Sequence, residues 1–536
     1  MKEHVREIEA RGRERLRARV RALGVADDTR AGRRRPWLIP ALTVALLSLL
    51  ATGLYRVTHG PSREVVTLAV LPLQLDTTES SQQFLAAGIA DAIITRLSEQ
   101  PELRVRPTRS VLGYASTGID IKRAGDELDV DYLLTGSVQR LPKQIEVHLQ
   151  LISTPESAVR WGRTYRMPVG QLSTLQDSVA VDLSNALQVT ASTPRHAAAA
   201  VDSTTYELYL HARALLAQDR DADLREAADL LERTIAQSQN FAPAYAGLAV
   251  ASAEMQLRSA STQDAGTWAE RAVANARRAL RLDPSLAEAH QALAAVHRRT
   301  ELEWVATIRE SRKAIALDPN PSAPYFYMGS AYYHLGLLKL ARAAVREGID
   351  NQPQVDDGEA LRTLGTIELA NGNYGRAITL LQDVQRYSDH PVADPHLAAA
   401  YFYSGDVTRA RALLGVLVHE STTTAATRGR ALLASILALH GQRDSAQLLL
   451  SEALRGVIDH DAAYSIGAAY AQLGQSAEAV KWLQTAVDTG FQTYPWYERD
   501  PLLDPLRRNT AFRSFMHGFK LNWQQAHRTW SRPDRS

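Results

Sequence analysis

Few side chains in this 536-residue sequence have the type and spacing that metal binding requires. His290 and His297 lie seven residues apart in a helical pattern, so both could lie on one helix face and bind a metal ion. Two histidines without a nearby third ligand form a weak site, and we favour surface or groove histidines instead. The sequence has no cysteine, which excludes disulfides, thiol catalysis and cysteine-based zinc sites. We therefore predict no metal site and no cofactor.

Catalytic motifs are equally scarce. The sequence has no HExxH, GxSxG or SxxK pattern and no GxxxxGKS/T phosphate loop. Gly88 with Asp91, and Gly136 with Ser137, lack the flanking residues of a phosphate loop or a nucleophile elbow. Turn and packing roles explain these residues better. We expect a binding protein and not an enzyme.

Regularly spaced small residues indicate the elements that would position a binding site. Glycine recurs at 336, 372, 405, 441 and 474, with alanine five residues after each and glycine or alanine seven residues before each. This spacing matches the 34-residue tetratricopeptide repeat (TPR), in which two helices pack closely at small residues. The glycine ends the first helix and permits the turn into the second. One pair cannot bury its apolar face alone, so the repeats must stack.

The TPR array is predicted over residues 205–490, with about eight repeats. Its earlier members are more degenerate, and we expect helix pairs over 205–218 and 224–238, 242–257 and 266–282, and 285–299 and 303–317. Residues 491–536 break the period and are rich in Pro, Trp and Tyr. They are predicted to form a capping segment over the last repeat.

The TPR resemblance also implies a binding surface. In TPR families the first helix of each repeat lines a concave groove. Its groove positions in this sequence include Phe326, Tyr333, His334, Arg362, Phe402, Tyr403, Arg428 and Tyr464. Aromatic and arginine side chains are the types that anchor interfaces. We expect them to bind a protein or peptide partner; the alternative is that individual members pack between neighbouring repeats.

A different pattern, over residues 64–190, predicts a small α/β domain with a mixed sheet. Alternating or β-branched apolar runs predict strands, and apolar residues three and four apart predict helices. The strands are expected over 65–73, 103–106, 132–138, 145–152 and 161–165, and the helices over 82–98, 121–128 and 171–188.

Several pieces of this domain recur in order in a known family. The pieces are LAVLPLQ (68–74), the run from Phe84 to Tyr114, AGDELDVDYLLTGSVQR (124–140) and EVHLQLISTPESAVRWGRTY (146–165). They resemble the TolB N-terminal-like domain. In bacterial chains that domain often follows a transmembrane helix and precedes TPRs, as in the extracytoplasmic halves of CadC-type regulators. The resemblance implies a related architecture here, although residues 1–36 are too short for the regulators' winged helix.

An apolar run precedes this domain. Residues 37–55 contain no charge over 19 positions, about the length of a transmembrane helix. Residues 1–36 hold 12 Lys or Arg against 6 Asp or Glu, so the positive-inside rule predicts a basic cytoplasmic tail. We expect an uncleaved anchor in a bacterial inner membrane, with the N-terminus cytoplasmic and the bulk of the chain extracytoplasmic.

The fold class predicted from the sequence is thus a transmembrane helix, a small α/β domain and an all-α TPR solenoid. The predicted function is a membrane-anchored scaffold that binds a protein or peptide in the TPR groove. The alternative is the sensor component of a signalling or transcription-regulatory system, whose tail recruits a separate output protein. The net charge of +2 gives no reason to expect nucleic-acid binding. The sequence specifies neither the ligand nor the oligomeric state.

Overall fold

A computed structural model describes residues 65–530, apart from 76–82, 101, 116–118, 142–143, 191–200, 219, 260–261, 300–302, 352–357, 385–393 and 420–422. The predicted tail (1–36) and transmembrane helix (37–55) lie outside the described residues.

The expected localisation requires a correction. Across the described ranges, no helix combines the length and the apolar character needed to cross a bilayer. The single-pass location in a bacterial inner membrane, with the C-terminal bulk outside the cytoplasm, therefore has no support from the structure. We do not retain it.

The α/β domain has the predicted order of strands and helices. Its elements are β1 (Val66–Val70), β2 (Gln74–Leu75), α1 (Gln83–Ser98), β3 (Leu103–Val105), α2 (Thr108–Val111), α3 (Ile121–Leu128), β4 (Tyr132–Arg140), β5 (Gln144–Ser153), β6 (Ala158–Pro168) and α4 (Leu175–Leu187). The strand β2 and the short helix α2 were not expected. The last predicted helix begins later than the pattern indicated, because residues 169–174 form a 3-10 turn.

The sheet is mixed, as predicted. Its strand order is β3-β1-β4-β5-β6, and β2 also pairs with β4. Strand β1 runs parallel to β3 and β4, whereas β4, β5 and β6 form an antiparallel meander. Gly136 lies in β4 so close to β5 that a Cβ atom there would clash with the carbonyl oxygen of His148. Gly136 and Ser137 are therefore sheet residues, in agreement with the packing role predicted for them.

Eight helix pairs follow in the described part of the chain. They are α5 (Ser203–Gln218) and α6 (Asp221–Gln237), α7 (Ala242–Arg258) and α8 (Thr262–Leu282), α9 (Ala287–Arg299) and α10 (Trp304–Leu317), α11 (Ala323–His334) and α12 (Leu338–Asn351), α13 (Gly358–Ala370) and α14 (Tyr374–Val384), α15 (Pro395–Ser404) and α16 (Val407–His419), α17 (Thr424–Leu439) and α18 (Arg443–Ala453), and α19 (His460–Gln472) and α20 (Ser476–Asp488). Helix α8 begins four residues earlier than expected.

The recurring glycines have the conformation that their position requires. Gly336, Gly372, Gly405, Gly441 and Gly474 all have φ between 69° and 93°, the left-handed region that only glycine adopts easily. The small residues seven positions earlier permit close helix packing. A Cβ atom on Gly365 would lie 2.7 Å from Leu381, and one on Gly467 would lie 2.9 Å from Leu483. The predicted roles of the repeat glycines are confirmed.

After the last pair, the chain forms a C-terminal segment of residues 490–530. It contains α21 (Tyr494–Arg499), a 3-10 helix (Pro501–Leu506) and α22 (Thr510–Trp530). Leu503, Phe512 and Phe519 are buried in the same core as the last repeats.

The α/β domain and the first repeats share one hydrophobic core, which continues from Leu68 in β1 to Ala251 in α7. Helix α1 packs directly on α5. A Cβ atom on Gly88 would lie 2.5 Å from the main-chain oxygen of Leu210, so only glycine fits at this contact. Gly88 is therefore a packing residue between the two parts of the fold.

We predict that Gly88→Ala destabilises the protein by about 1–3 kcal/mol, because the added methyl group forces α1 away from the α5 backbone. Thermal unfolding followed by circular dichroism measures the change. Gly113→Ala is the matched control, since a Cβ atom there has no neighbour within 4 Å. Equal melting temperatures for the two variants would contradict the close contact.

Candidate functional site

The C-terminal half of the predicted groove is largely filled. Tyr333, Tyr403, Arg428 and Tyr464 line one cavity of only about 70 Å³. Phe491, Trp496 and Leu502 of the C-terminal segment form part of its wall. Four of the eight predicted groove residues therefore converge in space, but the chain itself occupies most of the surface that they line.

Asp500 joins the C-terminal segment to two of these residues. Its carboxylate accepts a hydrogen bond from the Tyr403 hydroxyl at 2.9 Å, another from the Tyr464 hydroxyl, and a third from the Leu502 N–H at 2.9 Å. Asp500 is only 2% exposed. Burial raises the pKa of Asp500 to about 6, although the tyrosine hydroxyls and the Leu502 N–H oppose the rise.

The C-terminal segment also bonds to the ends of earlier helices. The Thr493 hydroxyl donates to the Tyr333 carbonyl at 2.8 Å, and the Trp523 indole N–H donates to the Gly336 carbonyl at 3.1 Å. Arg499 donates to the Asn371 carbonyl at 3.0 Å. The segment therefore extends past the last repeat, which it was predicted to cover, and reaches the repeat formed by α11 and α12.

A buried polar cluster lies beneath the segment. Arg428 donates to Asp461, and one of its nitrogens lies 2.8 Å from a ring nitrogen of His396. Burial would raise the pKa of Asp461, but the Arg428 guanidinium outweighs this effect and holds the pKa below its ordinary value. His334 stacks on Trp304 with ring centroids 4.2 Å apart, and burial lowers its pKa so that it stays neutral. These contacts join side chains of several repeats in the interior.

The other predicted groove residues lie elsewhere. Arg362 forms an ion pair with Asp394 at 3.2 Å, and Phe402 is buried in the C-terminal core. Phe326 packs near Gly348 and lines a separate cavity, described below.

The two histidines considered as metal ligands bind carboxylates instead. A ring nitrogen of His290 lies 2.7 Å from Glu310, and His297 contacts Glu303. Within the described ranges, no three His, Cys, Asp or Glu side chains are grouped so that they could hold a metal ion.

A second part of the groove is not filled by the chain itself. A cavity of about 520 Å³, which we call the open groove, lies along the first helices of the N-terminal repeats and is bordered by the α/β domain. It is lined by Pro107, Arg109, Glu254, Leu257, Gln291, Arg298, Arg299, Pro321, Ser322, Ala323, Phe326, Tyr327 and Glu359.

The open groove contains side chains that can bind a carboxylate. Arg298 pairs with Glu359 at 2.8 Å, and its guanidinium lies over the Tyr327 ring, 5.0 Å from the centroid. Burial, together with the charge of Arg298, lowers the pKa of Arg299. An anion bound here would reduce the repulsion between the Arg298 and Arg299 guanidinium groups. Arg109 adds a third, exposed guanidinium at the rim.

Sequence reasoning missed most of these residues. The adjacent pair Arg298–Arg299 at the end of α9 was a usable signal, because it lies in a predicted first helix. The degenerate repeats lack the turn glycine, however, so their groove positions could not be counted from it. Arg109 had no such signal, because it reaches the groove only through docking of the α/β domain.

That docking depends on a buried arginine. Arg106, at 2% exposure, donates from Nε to the Leu128 carbonyl at 2.7 Å and from Nη1 to the Asn351 carbonyl at 3.0 Å. Asn320 adds a second link, since its amide donates to the Ser98 carbonyl and accepts from the Val105 N–H. These bonds hold β3 and α2 against the groove.

Two family models match parts of the chain. Residues 64–216 match the second domain of HilA/YgeH-like transcriptional regulators, and residues 460–489 match a tetratricopeptide repeat. The chain thus contains a tetratricopeptide repeat and, before it, a domain similar to one of transcriptional regulators. The TolB-like and CadC-type resemblance is not supported by these matches.

One curated relative shares part of the sequence. It is "Putative adenylate cyclase 3" of Rhizobium meliloti (strain 1021), which is 29% identical over 188 residues. The match covers 34% of this chain, and the chain spans about a third (32%) of that protein.

The solved structures to which parts of the chain are similar include the following three. A thermophilic TPR protein of Thermus thermophilus is 16% identical over 38% of this chain and 99% of its own, with a TM-score of 0.28. Pseudomonas aeruginosa PilF is 21% identical over 39% of this chain and 92% of its own, with a TM-score of 0.30. Human IFIT1, solved as a dimer with PPP-AAAA, is 12% identical over 59% of this chain and 79% of its own, with a TM-score of 0.36.

We predict that Asp500→Ala releases the C-terminal segment, because two tyrosine hydroxyls and one main-chain N–H lose their acceptor. Hydrogen bonds to a charged group contribute about 1.5–3 kcal/mol each, so the loss is several kcal/mol at most and local opening should be measurable. Limited proteolysis should cut residues 491–530 faster than in the unchanged protein. Asp504→Ala is the control, since Asp504 is 67% exposed and pairs only at the surface. Equal cleavage rates for both variants would contradict this role of Asp500.

A second prediction concerns pH. Because the pKa of Asp500 rises from 3.8 to about 6 on folding, the folded protein binds the proton more tightly, and this contribution to stability is lost as pH rises through about 6. We expect the free energy of unfolding, measured relative to Asp500→Asn, to fall by up to about 3 kcal/mol between pH 4 and 7. Denaturant titrations across this range measure it. A constant difference would show that the pKa of Asp500 does not change on folding.

Proposed function

We propose that this protein is a non-enzymatic scaffold whose open groove binds an extended segment of a protein partner. The observation that carries the proposal is the open groove itself, with three arginines and two aromatic rings around a cavity of about 520 Å³. The cavity is within the usual size range for ligand sites. The sequence has no HExxH, GxSxG, SxxK or GxxxxGKS/T pattern, which supports a binding role.

The charges in the open groove favour a segment that carries acidic side chains. Arg298 and Arg299 are adjacent in the sequence, and Arg109 of the α/β domain lines the same cavity. A carboxylate can accept two parallel hydrogen bonds from a guanidinium. Glu254 and Glu359 on the same wall limit the excess positive charge, which favours a peptide over a nucleic acid.

A second candidate function is the sensory part of a signalling or transcription-regulatory system. It is favoured by the match of residues 64–216 to a regulator domain and by the cyclase-named relative. In this candidate the groove binds the signal, and residues 1–36 recruit a separate output protein. Deleting residues 1–30 discriminates between the two functions: loss of a co-purifying regulator or kinase, with the partner of the groove retained, favours the second.

We predict that a photoreactive residue at position 327 in the full chain crosslinks a protein partner in cells that express it. Arg298→Glu combined with Arg299→Glu should reduce that crosslink at least tenfold, because the segment loses its cationic contacts. Mass spectrometry of the crosslinked product identifies the partner segment.

The control for charge is Arg225→Glu on the exposed face of α6, which should leave the crosslink unchanged. The control for position is a photoreactive residue at 245, outside the open groove. A crosslink that survives reversal of both arginines would contradict the proposed site.

A further inference from the structure

A second, larger cavity lies beside the open groove. It has a volume of about 660 Å³ and is lined by α1, α4, α5 and the turns that precede α7, α9 and α11. Gln291 and Pro321 line both cavities, so the two are neighbours along one surface. We call it the acidic cavity, because carboxylates predominate among its charged side chains.

Carboxylates outnumber cations in its lining. The cavity is lined by six carboxylates, Asp91, Glu99, Asp177, Asp283, Glu288 and Asp318, and by two guanidinium groups, Arg96 and Arg213. Both guanidinium groups already bind carboxylates. Arg213 lies 2.7 Å from Asp91 and 2.5 Å from Glu288, and Arg96 lies 2.6 Å from Asp177 and 3.2 Å from Glu99. The lining thus contains four more carboxylates than guanidinium groups.

Asp318 is one of these six carboxylates. Burial raises the pKa of Asp318 to about 7, and the nearby charges of Glu99 and Glu288 contribute to the rise. Its carboxylate accepts hydrogen bonds from the main-chain and side-chain nitrogens of Asn320, both of which are neutral. A cation placed in the cavity would favour the ionised form of Asp318.

Aromatic rings line the same cavity. The Tyr209 and Phe241 centroids lie 5.0 Å apart, and Tyr206 lies 5.9 Å from Tyr209. Ring faces attract ammonium and guanidinium groups, most strongly where water is excluded. In the part of the chain that the structure describes, no carboxylate and histidine cluster is suited to a metal ion, so the surplus charge favours an organic cation.

We propose that the partner segment is charge-segregated, with acidic side chains in the open groove and a lysine or arginine side chain in the acidic cavity. The inference rests on the proposed function, because it adds a second contact for the same segment. Two adjacent cavities of opposite charge select a segment with separated charges over one of the same composition in mixed order.

The test uses the full chain and fluorescent 12-residue peptides. One peptide has four glutamates, a Gly-Ser-Gly-Ser spacer and four lysines; a second has the reverse order; a third has the same residues with alternating charges. Fully extended, each spans about 40 Å, enough to reach both cavities. Fluorescence anisotropy should show at least tenfold tighter binding of one segregated order than of the alternating peptide.

Variants assign each half of the peptide to its cavity. Asp318→Asn and Tyr209→Leu should each weaken the segregated peptide at least threefold and leave an all-glutamate peptide unchanged. Arg298→Glu with Arg299→Glu should weaken both peptides. Asp444→Asn, on the exposed face of the array, is the control and should change neither. Because Asp318→Asn and Tyr209→Leu change different kinds of side chain, a shared loss of binding is not explained by one misfolded variant. Circular dichroism checks that each variant is folded.

The outcomes separate this inference from the proposed function. If the all-glutamate peptide binds but the lysine half adds nothing, or if Asp318→Asn and Tyr209→Leu have no effect, the inference is overturned and the scaffold function stands. If the alternating peptide binds as tightly as both segregated ones, the inference is likewise overturned. If no peptide binds and no crosslink forms at position 327, both are overturned.

Discussion

A stack of helix pairs leaves apolar surface uncovered at its two ends, because each pair is covered only by its neighbours. In this protein the α/β domain covers one end, where α1 packs on α5 and one core continues from the sheet into the first repeats. Residues 490–530 cover the other end and turn back along the groove. The positions of the α/β domain and of the C-terminal segment therefore determine which part of the concave surface can still accept a ligand.

Buried polar groups fix how the α/β domain and the C-terminal segment dock on the repeats. Arg106 bonds to carbonyl groups of the α/β domain and of α12, and Arg213 joins α5 to Asp91 in α1. Asp500 does the same for the C-terminal segment through Tyr403 and Tyr464. A buried charge without its partner lowers stability. If either segment docked in a shifted position, the protein would therefore lose these hydrogen bonds and ion pairs in addition to apolar contacts. Apolar surface supplies the attraction, and these groups select one arrangement.

The two halves of the groove consequently differ both in their side chains and in their accessibility. Its C-terminal half is an interior of aromatic rings around Arg428 and Asp461, with little empty volume. Its N-terminal half is open, and the α/β domain supplies Arg109 to one side and the carboxylates of α1 to the other. The α/β domain therefore forms part of the lining of both cavities.

The sequence by itself determined the local structure. Period-two and helical patterns placed the strands and helices of the mixed sheet, and glycines 33 or 36 residues apart marked the turns, since each turn requires positive φ. The sequence also indicated which repeat faces carry aromatic and arginine side chains. Only the tertiary structure decided that Tyr333, Tyr403 and Tyr464 lie beneath residues 490–530, and that Arg109 and Arg298 line one cavity. Those contacts join residues that are distant in the chain, and docking energies between distant elements leave no periodic signal in the sequence.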